Sequence, residues 1–272
     1  MSDAAGELLH RLSSKRGAES RSLIGEERAE RLRLYLQRGH DVEGWLDPYS
    51  AVFIASLGAI QLAIDVTGAT GEIGVHQGRL FILLDLLKRD AEHSVAIDVF
   101  ENQHLNVDKS GCGDLGRFMA NLTRWAGQAR NVHMVRNSSL RVDAQDVIGR
   151  AGRFRLLSID GGHTEECALN DLRLAEQLLH PRGIAILDDH FNQGWPGVSS
   201  GTARYVFEAG GILRPFAISP NKVYLADPQA HAFYRKLLKT AEADHFDRSS
   251  SLYGSLVDIY GCEPVSFAPT FP

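Results

Sequence analysis

From about residue 70 to residue 226 the chain alternates short apolar runs with amphipathic stretches, and this alternation constrains its fold more than any other feature. Gly71 to Val75, His93 to Phe100, Val132 to Val135, Arg155 to Asp160 and Ile184 to Asp188 read as five strands. Helical patterns lie between them, over Gly78 to Lys88, Asp114 to Gln128, Ala144 to Ala151 and Glu165 to His180. In the last, Ala168, Leu169, Leu172, Ala175, Leu178 and Leu179 share one apolar face, and Pro181-Arg182-Gly183 marks its end. A helix over Thr202 to Ala209 follows, then two runs, Ile212 to Ile218 and Lys222 to Ala226, that flank Ser219-Pro220-Asn221 and predict an antiparallel hairpin. A tail of helix and loop is expected after it. Strands that alternate with helices predict an α/β fold, a doubly wound parallel sheet with crossover helices on both faces. The strands are apolar almost throughout, as strands covered on both sides should be.

Residues 1–46 read as an N-terminal helical extension and residues 47–272 as the main domain. Gly25 to Arg38 is dense in charge and predicts surface helices, either a solvated cap or a lid or dimer arm. Asp47-Pro48 then opens a mostly buried helix, Tyr49 to Ile64. Twenty-nine basic against 34 acidic side chains leave a net charge of −5, so nucleic acid is a poor candidate partner. Cys112, Cys167 and Cys262 form no C-x-x-C pair, and an odd, scattered count suits a reducing compartment. The most apolar stretch, Ala51 to Val66, is interrupted by Ser56, Gln61 and Asp65, so no membrane span is expected. Met1 to Gly17 has no apolar core of a signal peptide, and a cytoplasmic location is the expectation.

In open α/β sheets ligands bind at the carboxyl ends of the strands, so the residues there carry the functional argument. The first strand runs into Glu72-Ile73-Gly74-Val75-His76-Gln77-Gly78. This E-x-G-x-x-x-G pattern is neither the dinucleotide fingerprint nor a phosphate loop, and its acidic residue suits a cationic or amino-bearing ligand. The second strand ends in Asp98, placed to accept hydrogen bonds from ribose hydroxyls. Asn137-Ser138-Ser139 after the third strand is either a plain turn or the border of an adenine ring. The fourth ends in Asp160-Gly161-Gly162-His163 and the fifth in Asp188-Asp189-His190. Three carboxylates on one rim repel one another, and a divalent cation relieves that cost; an all-oxygen set favours Mg²⁺, Mn²⁺ or Ca²⁺. His163 and His190 are candidate general bases on the same rim. Trp195-Pro196, in a glycine-bearing loop, is either a pocket wall or a buried anchor.

Taken together, GEIGVHQG, AIDVF, SIDGGHT followed by NDL, and AILDDHFNQGWPGV resemble class I S-adenosylmethionine-dependent methyltransferases, in the branch of small-molecule O-methyltransferases of the macrocin and rhamnosyl types. The resemblance spans roughly residues 66–227. It implies a Rossmann-like seven-stranded sheet of order 3-2-1-4-5-7-6 with the last strand antiparallel. It implies that Glu72, Gly74, Gly78, Asp98, Ser138 and Asp160 face S-adenosylmethionine and that Asp160, Asp188 and Asp189 hold a divalent cation, Mg²⁺ first among the candidates. Some relatives carry a second acidic residue where this chain has Gly162, which leaves His163, His190 or the metal alone to activate the acceptor. The expected partner is a small hydroxylated acceptor, and a homodimer is expected from family habit and the amphipathic N-terminal segment. Two other classes stay open: an NAD-dependent Rossmann oxidoreductase, disfavoured by the missing G-x-G-x-x-G, and a non-catalytic protein on the same fold, disfavoured by the intact acidic cluster.

Overall fold

The computed structural model describes residues 24–262. The reading of Met1 to Gly17 lies outside them. The described chain runs α1 (Glu26–Arg38), α2 (Pro48–Ala63), β1 (Ala69–Ile73), α3 (Arg79–Leu86), β2 (Ser94–Asp98), α4 (Leu115–Ala126), β3 (Val132–Arg136), α5 (Ala144–Ala151) and β4 (Phe154–Ile159). It continues through α6 (Glu165–Leu178), β5 (Leu179–Asp188), α7 (Pro196–Phe207), β6 (Arg214–Ser219), β7 (Lys222–Ala226), α8 (Pro228–Ala241), β8 (Phe246–Leu252) and β9 (Ser255–Tyr260). The strands form one sheet of order β3-β2-β1-β4-β5-β7-β6-β9-β8. β1 to β5 pair in parallel and β7 is antiparallel to β5, as expected. Among the described residues no helix is long and apolar enough to cross a membrane.

Successive strand residues feed two cores, because side chains alternate across a sheet. Leu156, Ile184 and Ile186 join the helices α1 to α4 and α8 on one face. Leu157, Ile159, Ala185 and Leu187 join α5 to α7 on the other. The helix starts are written in the sequence: Asp47 accepts hydrogen bonds from the backbone N–H groups of Tyr49 and Ser50 ahead of Pro48, and Asp114, Asp143 and Thr164 cap α4, α5 and α6 in the same way. The charge-dense α1 is more than a solvated cap. Its Leu32 and Tyr35 are buried, and the Tyr35 hydroxyl donates to the Arg79 carbonyl at 2.5 Å.

Three expectations change. The sheet has nine strands rather than seven: the tail holds the hairpin β8–β9, with β9 parallel to β6. β8 (FDRSSSL) is exposed and polar along nearly its whole length, so it lacks the apolar signal of a strand, and it is held by its ladder to β9. β5 starts at Leu179 and passes straight through Pro181 and Gly183, where the turn residues had marked only a helix end. α7 starts at Pro196, six residues before the expected Thr202, because proline suits the first helical turn.

At the amino-terminal rim of the sheet, Arg155 is fully buried. Its guanidinium donates to Glu92 at 3.2 Å, to the Gln61 side chain at 3.1 Å and to the Leu87 carbonyl at 2.7 Å, tying β4 to α2 and to the segment after α3. Removing one member of a buried ion pair leaves the other charge uncompensated. Arg155→Ala is therefore expected to lower the unfolding free energy by about 3–5 kcal/mol, read from the urea midpoint by circular dichroism.

Candidate active site

The carboxyl ends of β1, β2, β4 and β5 open onto a cleft of about 440 Å³. Its depth comes from a close approach of backbone. Gly74 has φ +83°, and a Cβ there would lie 1.7 Å from the Asp160 carbonyl oxygen, so the loops after β1 and β4 meet only because this residue is glycine. Gly78 also has positive φ, but it packs on Phe118 and stays out of the cleft lining. Of the two expected cofactor glycines, one shapes the cleft and the other seats α3.

Glu72 lies at the floor, 2 % exposed, and its Oε2 has no hydrogen-bond partner. Burial raises its pKa well above the usual carboxylate range, and the nearby Asp160 carboxylate adds to the effect. An orphaned buried carboxyl oxygen in a cleft is what a cationic or amino group would satisfy, and on this point the residues fit the ammonium of an S-adenosylmethionine. Asp98 lines the cleft, but its carboxylate is already engaged: it accepts from the backbone N–H groups of Val75 (2.7 Å), His76 (2.8 Å) and Phe100 (2.6 Å). It braces the glycine loop, and lone pairs remain for a ribose hydroxyl. Ser138 lines the same cleft with Asn137 and Ser139, and Trp45, from the segment before α2, stands 78 % exposed at its margin.

The acidic rim differs from the expectation at Asp188. This side chain is buried; its Oδ2 accepts from the Lys222 ammonium, and its Oδ1 accepts from Asn221 Nδ2 at 2.7 Å and from the Asp189 N–H at 2.9 Å. Burial pushes the Asp188 pKa up to about 7 against the pull of Lys222, while the neighbouring carboxylates hold Lys222 up against its own burial. At hydrogen-bond contact the ionised pair is the physically sensible state. Asp188 thus does not join the donor cluster, which consists of Asp160, His163 and Asp189, with one ligand atom from each within 4.8 Å of the others. Asp189, at φ +56°, turns its carboxylate toward His163, and His163 Nε2 lies 3.2 Å from Asp189 and 3.8 Å from Asp160.

The two histidines lie in different surroundings, His163 in the cleft lining and His190 outside it. Burial acts to lower the His163 pKa, but Asp160, Asp189 and Asp108 outweigh it and hold the imidazole up to about 10. His190 is 2 % exposed, and burial lowers its pKa to about 4. It packs between Phe191 and Tyr253 and does not line the cleft. Three contributors went unread in the sequence. Asp108, in the loop after β2, accepts from His163 Nδ1 at 3.0 Å and from the His163 backbone N–H. Lys222 and Asn221 had been read only as strand and turn. Gly162 cannot carry the acid seen in some relatives without movement, since a Cβ there would lie 2.8 Å from Cys167 Sγ. Trp195 lines the cleft and stacks on His163, ring centroids 4.3 Å apart.

His163 is raised from 6.5 to about 10, so its contribution to stability is full below pH 6.5 and is lost as the pH rises toward 10. Asp189 is lowered from 3.8 to about 2, mainly by His163 and by Asn192 and Asn221 against burial, so its contribution is full above pH 3.8 and is lost toward pH 2. In metal-free protein the gap in melting temperature between wild type and His163→Gln should be widest near pH 4 to 6.5 and shrink toward pH 10. A gap that grows toward pH 10 would contradict this assignment of charge.

Residues 72–190 match the model of a family described as "Methyltransferase domain". No curated protein matches the chain. The O-methyltransferase NovP is similar in structure, with 15% identity, a TM-score of 0.57, and coverage of 83% of this chain and 99% of that one. CalS11, a TDP-rhamnose 3'-O-methyltransferase of calicheamicin biosynthesis, is similar too, with 18% identity, a TM-score of 0.50, and coverage of 82% of this chain and 92% of that one. Residues 72–190 thus resemble a methyltransferase domain, and the chain shares its fold with NovP and CalS11, two O-methyltransferases.

Proposed function

We propose that the protein methylates a hydroxyl oxygen of a small molecule, a sugar, glycoside or other natural product, with S-adenosylmethionine as donor and a divalent cation at the acidic rim. The observation that carries the reading is the buried, partnerless Glu72 carboxyl oxygen in a cleft whose opposite rim is acidic. S-adenosylmethionine, when bound, supplies an electrophilic methyl group to the acceptor oxygen. Glu72 would hold its amino group, Asp98 its ribose, and Ser138 would border its adenine. Asp160, His163 and Asp189 would hold the cation, which when bound supplies positive charge beside the acceptor hydroxyl. Trp195, stacked on His163, and Trp45 would wall the acceptor and exclude water. The chain's own part is mainly to bring two partners together in fixed orientation. Asp160 is the most exposed side chain of the cluster, 30% against 11% for His163 and 14% for Asp189, and so offers the oxygen nearest to an incoming acceptor.

Calorimetric titration tests the cofactor. S-adenosylmethionine should bind saturably and NAD⁺ should not. Glu72→Gln, which keeps the shape and cannot carry a negative charge opposite the ammonium, should weaken binding about 10- to 100-fold, the range for a lost hydrogen bond to a charged group. Equal affinity in Glu72→Gln, or binding of NAD⁺ in place of S-adenosylmethionine, would overturn the assignment. Transfer that is undiminished in excess chelator would remove the cation from the reaction.

A further inference from the structure

We propose that Arg79 couples the methyl donor to the acceptor wall: its guanidinium, hooked on two carbonyls of the segment 43–46, takes the carboxylate at the amino-acid end of S-adenosylmethionine and so fixes Trp45 at the cleft margin. This rests on the reading of the cleft as a methyl-transfer site.

The amino-acid end of such a donor carries an ammonium and a carboxylate, and a site that takes both out of water must answer both. Glu72 answers the ammonium. Among the described residues that line the cleft, Arg79 carries the only guanidinium, and no lysine joins it. His163 stands on the acidic rim with Asp160 and Asp189. Arg79 opens α3 at the end of the glycine loop that starts from Glu72. The Tyr35 hydroxyl, which donates to the Arg79 carbonyl, lies in the fields of both Arg79 and Glu72, so a cation and a carboxylate share this end of the cleft.

The Arg79 guanidinium is held but not neutralised. Nη1 donates to the Gly44 carbonyl and Nη2 to the Leu46 carbonyl at 3.3 Å. A guanidinium has five N–H donors, so two carbonyls leave donors and the positive charge available. The acidic residue of the segment, Glu43, accepts from Gln77 Nε2 at 2.9 Å and pairs with Arg117 at 3.7 Å, and so leaves the Arg79 charge unanswered.

The same contacts set the place of Trp45. A side chain 78 % exposed has few contacts of its own, so the backbone that carries it decides where it stands. That backbone passes close over Arg79: Gly44 has φ +141°, and a Cβ there would lie 3.2 Å from Arg79 Cβ. The Trp45 ring lies 5.8 Å from the ring of His76, whose Nδ1 is buried without a hydrogen-bond partner in the cleft lining. A carboxylate on the remaining N–H groups would lock the guanidinium plane, and with it the Gly44 and Leu46 carbonyls on either side of Trp45. The donor therefore sets the acceptor wall before the acceptor arrives.

The experiment titrates the full-length protein by calorimetry with S-adenosylhomocysteine and with the same thioether lacking its carboxylate. Wild type should bind S-adenosylhomocysteine at least about tenfold more tightly, as a charge-assisted pair requires. Arg79→Gln should bring the two affinities within about threefold of each other, and Arg79→Lys, which keeps the charge, should retain part of the preference. Fluorine NMR of protein carrying 5-fluorotryptophan reads the wall, with the Trp45 line assigned by Trp45→Phe. S-adenosylhomocysteine should shift that line in wild type, whereas the decarboxylated compound should not, and neither should S-adenosylhomocysteine in Arg79→Gln. A preference that survives unchanged in Arg79→Gln, or a wild-type Trp45 line that S-adenosylhomocysteine leaves unmoved, would overturn the inference. The wild-type affinity ratio and spectrum are decisive even if a variant folds poorly. Binding of S-adenosylhomocysteine with no preference for the carboxylate sinks the role of Arg79 alone, and binding of neither compound sinks the methyl-transfer reading.

Discussion

The buried ion pair between Asp188 and Lys222 is the interaction on which the arrangement of the cleft depends. Asp188 ends β5 and Asp189 follows it, among the carboxylates of Glu43, Glu72, Asp98, Asp108 and Asp160 that line or adjoin the same cleft. Such a concentration of one charge at the end of a buried sheet is unfavourable without compensation. Lys222, delivered by the antiparallel strand β7 in register with Asp188, supplies an interior cation. With Asp188 committed inward, Asp189 adopts a left-handed backbone and reaches outward to His163. The two neighbouring residues, alike in sequence, therefore have different surroundings and different charge behaviour.

The rest of the cleft follows from close backbone approach and from braces between loops. Gly74 lets the loop after β1 pass against Asp160, and Asp98 gathers three N–H groups from the loops after β1 and β2. Asp108 then ties the loop after β2 to His163. These contacts tie the loops after β1, β2 and β4 to one another beside Glu72. Little reorganisation is needed for such a floor to receive a ligand, which is the physical meaning of a preformed site.

Much of this was legible in the sequence, and the parts that were not share a physical cause. The parallel strands and their helices announced themselves because a doubly covered strand is apolar throughout and a covering helix is apolar on one face. β8 announced nothing, because its FDRSSSL residues face water on a sheet edge and are held by backbone pairing to β9. At the site, strand-end position pointed to Glu72, Asp98, Asp160 and Asp189, since the topology alone brings those ends together. It also pointed to Asp188 as a ligand and to His190 as a base. Position on a strand end says nothing about which way a side chain turns, and Lys222 and the Tyr253–Phe191 aromatic cluster decide that. Asp108 was invisible for the same reason: it lies 55 residues from His163, in a loop with no pattern of its own.

The account's central claim is that the cleft floor is built for a cationic methyl donor. A crystal structure of the protein with S-adenosylhomocysteine tests it most directly. The expected result is the ligand's ammonium within hydrogen-bond distance of Glu72, its ribose beside Asp98, and Lys222 still on Asp188. Ligand bound elsewhere, or bound in this cleft with Glu72 left without a partner, would contradict the account.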